Sequence, residues 1–199
     1  MIYLNNYGWN DKLSQLKQES TYNALTHGRI SIVHRTCYEV VSENGLFQCE
    51  LTGNMMYGKS DIELPCTGDW VLFQPFDEHK GIIVDMLPRE RTLYRKKNGT
   101  VADKQAIASY VDKAFIVQSL DDNFNVRRAE RFMVQMQEEN INPVLVFNKA
   151  DLGFDEQKVE EQIRHIARQI PVFFTSIHQP QTILQLRESI SAGETVVFV

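Results

Sequence analysis

The amino-acid sequence predicts a small β-barrel followed by an α/β parallel sheet, and three observations predict it. From Gly28 to Leu87, apolar and polar residues alternate over short segments bounded by Gly, Pro or Asp, the signature of half-buried strands. From Ala114 onward, short apolar runs alternate with segments whose apolar residues recur every three or four positions, the rhythm of a parallel sheet covered by helices. Between them lies a basic run ending in Asn98-Gly99, where both patterns stop. The 199 residues, 43% of them hydrophobic, suffice for one large or two small domains.

Residues 1–26 read as an N-terminal extension. Asn10 or Asp11 caps a short helix whose Leu13 and Leu16 share a face, and Tyr3, Tyr7 and Trp9 are expected to pack it onto the body, a binding role being the alternative. Residues 27–97 read as the barrel. Arg29–His34, Tyr38–Val41, Leu46–Leu51, Thr67–Gln74 and Gly81–Leu87 supply its strands, and Asn44-Gly45 is expected to turn the hairpin with both residues at positive φ. An oligonucleotide-binding (OB) barrel is the leading candidate.

Residues 98–106 read as the connection and 107–199 as the sheet domain. Ala114–Val117, Val144–Phe147, Val172–Phe174 and Thr195–Val199 are its strands. Val126, Ala129, Met133 and Met136 stripe a helix that Asn123 or Asn125 caps. Val159, Ile163, Ile166 and Ile170 stripe a second, and Ile183, Leu186 and Ile190 a third. These stripes are core.

Composition excludes several classes. There is no run of about 18 apolar residues and no basic-then-apolar leader, so no membrane partner is expected and the reading is cytoplasmic. Cys37, Cys49 and Cys66 are odd in number and far apart, which indicates neither a disulfide framework nor a metal site. His165 and His178 stand near no nucleophile pattern, and no catalytic residue is assigned. The net charge of −5 argues against a wholly basic nucleic-acid binder and leaves room for a local patch. Arg29, Arg35, Lys59 and Lys80, then Arg89, Arg91, Arg95, Lys96 and Lys97, are candidates for such a patch on RNA phosphates, with Tyr94 for stacking; a solvated linker is the competing reading. Arg127, Arg128 and Arg131 read as a solvated helix face.

The sharpest motif is Asn148-Lys149-Ala150-Asp151 at the end of a buried strand. A carboxylate there accepts both hydrogens of the N1 and N2 edge of guanine, which adenine lacks; Asn148 bridges base and loop, and the Lys149 stem covers the ring. The competing reading is a polar turn. Thr175-Ser176, after the next strand, falls at the same sheet edge and could bring backbone N–H groups to guanine O6. No G-x-x-x-x-G-K-[ST] phosphate loop occurs in these residues. The chain is expected to be a truncated piece, with a phosphate loop following Val199 in a permuted order of motifs.

With Gly8-Trp9-Asn10, Gly28-Arg29, Gly68-Asp69-Trp70-Val71, Leu87-Pro88-Arg89, Ile107-Ala108, Val111-Asp112, Ser119-Leu120, Phe124-Asn125, Arg127-Arg128, Glu130-Arg131 and Asn148 to Leu152, the chain resembles the circularly permuted, ribosome small-subunit-dependent GTPases, the RsgA family. The resemblance implies an OB barrel, a permuted GTPase domain binding GTP or GDP with Mg²⁺, and a C-terminal Zn²⁺-binding domain outside these residues. It also implies a role in late maturation of the small ribosomal subunit, with its rRNA as partner. Asn148, Lys149, Ala150 and Asp151 match the family's guanine-specificity motif, and Thr175-Ser176 its following loop. The phosphate loop, the Mg²⁺-associated switches and the zinc ligands have no counterpart here, so hydrolysis is expected of the longer protein and not of this chain alone. The alternatives are a non-catalytic RNA- or ribosome-binding module and a scaffold that binds neither ligand.

Overall fold

Alternation in the first part of the chain closes on itself. In the computed structural model, which describes residues 1–57, 59–96, 104–121, 124–165, 168 and 170–199, with Lys96 and Glu156 as backbone only, two compact units emerge, Met1–Val111 and Asp112–Val199. In the first, β1 (Thr26–Val33), β2 (Tyr38–Ser42), β3 (Gly45–Leu51), β4 (Trp70–Asp77) and β5 (Lys80–Met86) pair in the order β1-β2-β3-β5-β4, and β4 returns to β1. This is the expected OB arrangement, with β3 and β5 parallel and the other pairs antiparallel. Inward residues Ile30, Val40, Phe47, Cys49, Val71, Phe73 and Ile83 form the barrel core, with Met55 of the single-turn helix α2 (Gly53–Met56). Gly28 is dictated by this closure: a Cβ there would lie 2.5 Å from Val40 Cγ1 and 2.7 Å from the Val41 carbonyl oxygen.

One turn differs from expectation. Ser42 pairs with Gly45, so Glu43 and Asn44 are the central residues, and only Gly45 takes positive φ (128°). The single glycine absorbs the left-handed step that Asn44 was expected to share.

The N-terminal extension covers the outside of the barrel. Helix α1 (Asp11–Glu19) starts at Asn10, whose Oδ1 accepts from Leu13 N at 3.1 Å, and Leu4 and Leu13 pack with Val41, Trp70, Leu72, Leu87 and Tyr110. Trp9 makes the aromatic contact, edge-on to Trp70 at 4.8 Å and 4.1 Å from His27, whereas Tyr3 and Tyr7 are exposed.

The basic run does not form a plain linker. β6 (Leu93–Lys96) pairs antiparallel with β7 (Lys104–Ala108). The expected connection over 98–106 lies largely outside the described residues, but its end, Lys104 to Ala106, is strand within the first unit. Its inward residues are the small Ala106 and Ala108, with Ile107 facing outward between them, so the strand carried a weak apolar signal. In the same unit Asp69 is fully buried and Arg89 clamps it: Nε donates to Oδ1 at 2.9 Å and Nη2 to Oδ2 at 2.6 Å. Arg89 also donates to the carbonyls of Ile62 and Leu64, and Asp69 Oδ2 accepts from Cys66 N at 2.7 Å.

In the second unit, β8 (Lys113–Ser119), β9 (Asn142–Asn148), β10 (Val172–Thr175) and β11 (Val196–Phe198) form a wholly parallel sheet in the order β10-β9-β8-β11. Its central strands are apolar on both sides. Ile116, Leu145 and Phe147 pack against α3 (Val126–Glu138) and α4 (Glu156–Ile163), while Phe115, Val144 and Val146 pack with Leu186 of α5 (Pro180–Glu188). Asn125 caps α3, its Oδ1 accepting from Arg128 N at 3.2 Å; Asn123, the alternative cap, and Ile166 of the expected α4 stripe lie outside the described residues. Among the described residues no helix is long and apolar enough to cross a membrane.

Two predictions follow from the first unit's buried polar groups. Removing one partner of a buried ion pair strands the other charge, so Arg89→Ala should lower the urea-unfolding free energy by about 3 kcal/mol, while the exposed Arg35→Ala stays within about 0.5 kcal/mol.

The second concerns acid. An ammonium has no lone pair, so in the 3.1 Å contact of Lys17 Nζ with His27 Nδ1 the lysine donates, and the imidazole proton sits on Nε2, a buried atom without a hydrogen-bond partner among the described residues. Burial first, then the Lys17 charge, lowers the His27 pKa from its ordinary 6.5, with Glu43 opposing. The folded chain holds His27 neutral, so this stability is present above pH 6.5 and is lost as pH falls below it, because the unfolded chain takes up the proton first. The thermal midpoint followed by fluorescence of Trp9 and Trp70 should drop below that pH, and Lys17→Met should reduce the drop. A midpoint indifferent to acid in both proteins would refute the account.

Candidate functional site

Parallel pairing brings three strand ends into line. Ser119 of β8, Asn148 of β9 and Thr175 of β10 are register partners, so the segments after them emerge at one edge, the carboxyl edge where ligands meet α/β sheets. Leu120 N donates to the Asn148 carbonyl at 2.9 Å and ties the first two segments together. Lys149 then turns off the strand in left-handed backbone (φ 64°, ψ 34°), and a single 3₁₀ turn over Ala150–Leu152 presents Asp151.

Each predicted base-reading side chain is held by a neighbour. Thr175, buried, donates from Oγ1 to Asn148 Oδ1 at 3.3 Å. Ser176, also buried, donates from Oγ to Asp151 Oδ1 and accepts there from His178 N at 3.0 Å. Ser176 N in turn donates to Thr182 Oγ1 at 3.1 Å. The Ser176 hydroxyl holds the Asp151 carboxyl below its ordinary pKa, slight desolvation opposing, with a backbone N–H and the nearby His178 adding to the lowering. Asp151 is exposed and Asn148 half-buried, so an anionic acceptor and an amide face outward side by side. Such a pair can receive two adjacent N–H donors of a planar ring.

Two features of this edge were not in the sequence reading. Lys149 Nζ lies 2.7 Å from Asp121 Oδ2, and Thr182 braces Ser176 from the first turn of α5. Asp121 was findable, since a parallel sheet puts the residues after every strand at the same edge; Thr182 carried no signal. At the end of β8, Gln118 Nε2 and Ser119 Oγ are buried without a hydrogen-bond partner among the described residues.

The basic candidates divide sharply. Arg29 is buried: Nε donates to the Gly68 carbonyl at 2.9 Å, Nη1 to the Tyr7 carbonyl, and its guanidinium lies 5.6 Å over the Trp70 ring. Arg89 is bound to Asp69. Arg91 donates from Nε to the Val111 carbonyl at 3.1 Å and faces Glu90 at 3.4 Å. These three guanidinium groups, offered to phosphates in the sequence reading, are committed to the unit's own frame. Arginine's planar fork suits several acceptors at once.

Arg35, Lys59, Lys80 and Arg95 are exposed; Lys97 and the Lys96 side chain lie outside the described residues. Lys104, absent from the sequence reading, stands 5.8 Å over the Tyr94 ring. Arg127, Arg128 and Arg131 are exposed on α3, and His165 pairs with Glu130. Burial pushes the Cys49 and Cys66 thiols up to about 12, Asp69 adding to the effect at Cys66, so both stay protonated. Among the described residues no group of three or more His, Cys, Asp or Glu could hold a metal ion.

Comparison with known proteins places this geometry. A family model described as RsgA GTPase matches residues 86–199. The small ribosomal subunit biogenesis GTPase RsgA 1 of Bacteroides thetaiotaomicron is 73% identical over 97% of this chain and 54% of its own length. The RsgA of Methanosarcina acetivorans is 32% identical over 96% of this chain and 51% of its own. The chain thus spans about half the length of these curated relatives. Among solved structures, YjeQ from Thermotoga maritima superposes with a TM-score of 0.67 at 23% identity, covering 87% of this chain and 59% of that one. YloQ, described as a circularly permuted GTPase, gives 0.63 at 21% identity over 91% and 61%. At such identities these two establish the shared fold.

Proposed function

Because the chain belongs to the RsgA GTPase family, we propose that the edge formed by Asn148, Lys149, Ala150, Asp151, Thr175 and Ser176 binds the guanine base of GTP or GDP. The observation that carries this reading is the exposed Asp151 carboxylate, held by the Ser176 hydroxyl beside an Asn148 held by Thr175. The guanine N1–H and N2–H₂ donate together to Asp151, while adenine presents no such donor pair and would leave the charge unpaired. Backbone N–H groups following Thr175 suit guanine O6, and the Lys149 stem covers the ring face.

The reaction is hydrolysis of GTP by the longer protein, in the cytoplasm, during late maturation of the small ribosomal subunit. No residue here matches a phosphate loop, and none of the described residues forms a cluster fit to hold Mg²⁺ or Zn²⁺. In this proposal phosphate, Mg²⁺ and Zn²⁺ binding belong to the longer protein, and the residues of this chain select and orient the base. That same missing loop favours the second reading, a non-catalytic ribosome-binding module.

The barrel unit contributes the RNA contact. With Arg29, Arg89 and Arg91 committed to its frame, the candidates for phosphate contact are Arg35, Lys59, Arg95, Lys96 and Lys97, with rRNA of the small subunit as partner. The name of the Bacteroides relative, which mentions small ribosomal subunit biogenesis, and the OB architecture support it.

Both parts are testable in the natural protein that carries this chain. Asp151→Asn turns one carboxylate acceptor into a donor, so GDP affinity should fall about tenfold or more, with xanthosine diphosphate gaining; unchanged selectivity in competition binding would sink the guanine assignment. Reversing Arg95, Lys96 and Lys97 to Glu should weaken binding to small subunits and flatten the plot of log affinity against log salt by about two to three. An unaltered slope removes this patch from the interface.

A further inference from the structure

The ion pair between Lys149 and Asp121 has no role in the base contacts above, yet it joins the segments that follow β8 and β9 at the edge proposed to bind the base. Asp121 lies two residues past the end of β8, and its carboxylate is less exposed than its partner's side chain, 24% against 49%. The backbone beside it is fixed to β9 by the Leu120 N to Asn148 carbonyl bond. The acid is thus the anchored member, and the lysine, on four rotatable bonds and a left-handed backbone, is the one that needs anchoring.

We infer that Asp121 is a positioning residue for guanine recognition: by holding the Lys149 ammonium at the β8 edge, it fixes the lysine stem as an apolar cover over the base. This rests on the reading of Asn148 to Asp151 as the guanine site. Charge decides which part of the nucleotide the pair serves. With its ammonium 2.7 Å from a carboxylate, Lys149 presents methylenes to a ring instead of charge to a phosphate. Asp121 is itself an anion that repels phosphate, so any gain it confers comes through the base. A stem held by the Asp121 pair loses less rotamer freedom on binding a base.

The test is equilibrium binding of GMP, GDP and GTP to the natural protein carrying this chain, as wild type, Asp121→Asn and Asp121→Glu. Asp121→Asn should weaken all three nucleotides by the same factor, roughly three- to fivefold, the range of a partly exposed ion pair. Raising salt from about 0.05 to 0.5 M should close most of that gap, since the lost contact is ionic. Asp121→Glu should restore most of the affinity. A lesion that merely loosened the fold would show neither the salt dependence nor the rescue. Equal GMP affinity in wild type and Asp121→Asn overturns the assignment. So does a gain confined to GDP and GTP, which would mark Asp121 as a repulsive neighbour of the phosphates. A parallel GMP–XMP competition separates the two levels. Wild type indifferent to base, with Asp151→Asn silent, means that the guanine reading has failed; wild type selective for GMP with Asp121→Asn silent means that only the Asp121 role has.

Discussion

The parallel register of β8, β9 and β10 is the constraint on which the candidate site depends. Ser119, Asn148 and Thr175 share one line across the sheet, so three loops far apart in sequence open side by side. Side chains alternate with a period of two, and a slip of one residue would turn Asn148 away and bury the wrong face of Phe147. The register is fixed from within. Phe115, Ile116, Val144, Leu145, Val146 and Phe147 are buried on both faces, so any slip would misplace apolar residues against α3, α4 and α5. Core packing thus sets the geometry of a polar edge that contributes little to the core itself.

The barrel unit solves a different problem, a buried carboxylate. Asp69 has no exposed surface and is compensated by Arg89, which at the same time takes up two backbone carbonyls, while Cys66 N fills a remaining lone pair. Gly68 beside it has φ 94°, and a Cβ there would come within 2.5 Å of the Ser109 carbonyl oxygen, so the Gly68-Asp69 turn is sterically as well as electrostatically specified. Arg29 reaches the same turn through the Gly68 carbonyl. Three arginines of this unit, Arg29, Arg89 and Arg91, are thus tied to its own backbone and carboxylates. A chain of net charge −5 with cations withdrawn into its frame has fewer left for a surface patch than a residue count implies.

This explains which parts were legible in the sequence. The barrel, the four-stranded parallel sheet, the helix stripes and the alignment of Asn148–Asp151 with Thr175-Ser176 follow from periodicity and from the rule that parallel strands end at one edge. What periodicity does not carry is the partner of a charged side chain. Arg29 and Arg89 look like any surface arginine in one dimension, and only the closed barrel brings Tyr7, Gly68, Asp69, Ile62 and Leu64 to them. The β6–β7 hairpin escaped because Lys104 to Ala108 buries only its two small alanines while its one large apolar residue, Ile107, faces outward, a pattern with little apolar amplitude. Asp121 escaped for the opposite reason: its position was deducible, but nothing local pointed to Lys149.

The bonds at the sheet edge form a consistent set. Thr175 holds Asn148, Ser176 holds Asp151 and Asp121 holds Lys149, each supporting residue lying on a different strand end from the one it supports. All three contacts are made by this chain's own side chains and need no group from a ligand, so the chain itself can order the edge. A site ordered in advance gains selectivity mainly by penalising the wrong ligand, since a base without paired donors would leave a fixed carboxylate unsatisfied and the braced groups could not collapse around it. Base selection would therefore be a property of the sheet edge itself, separable from whatever holds the phosphates.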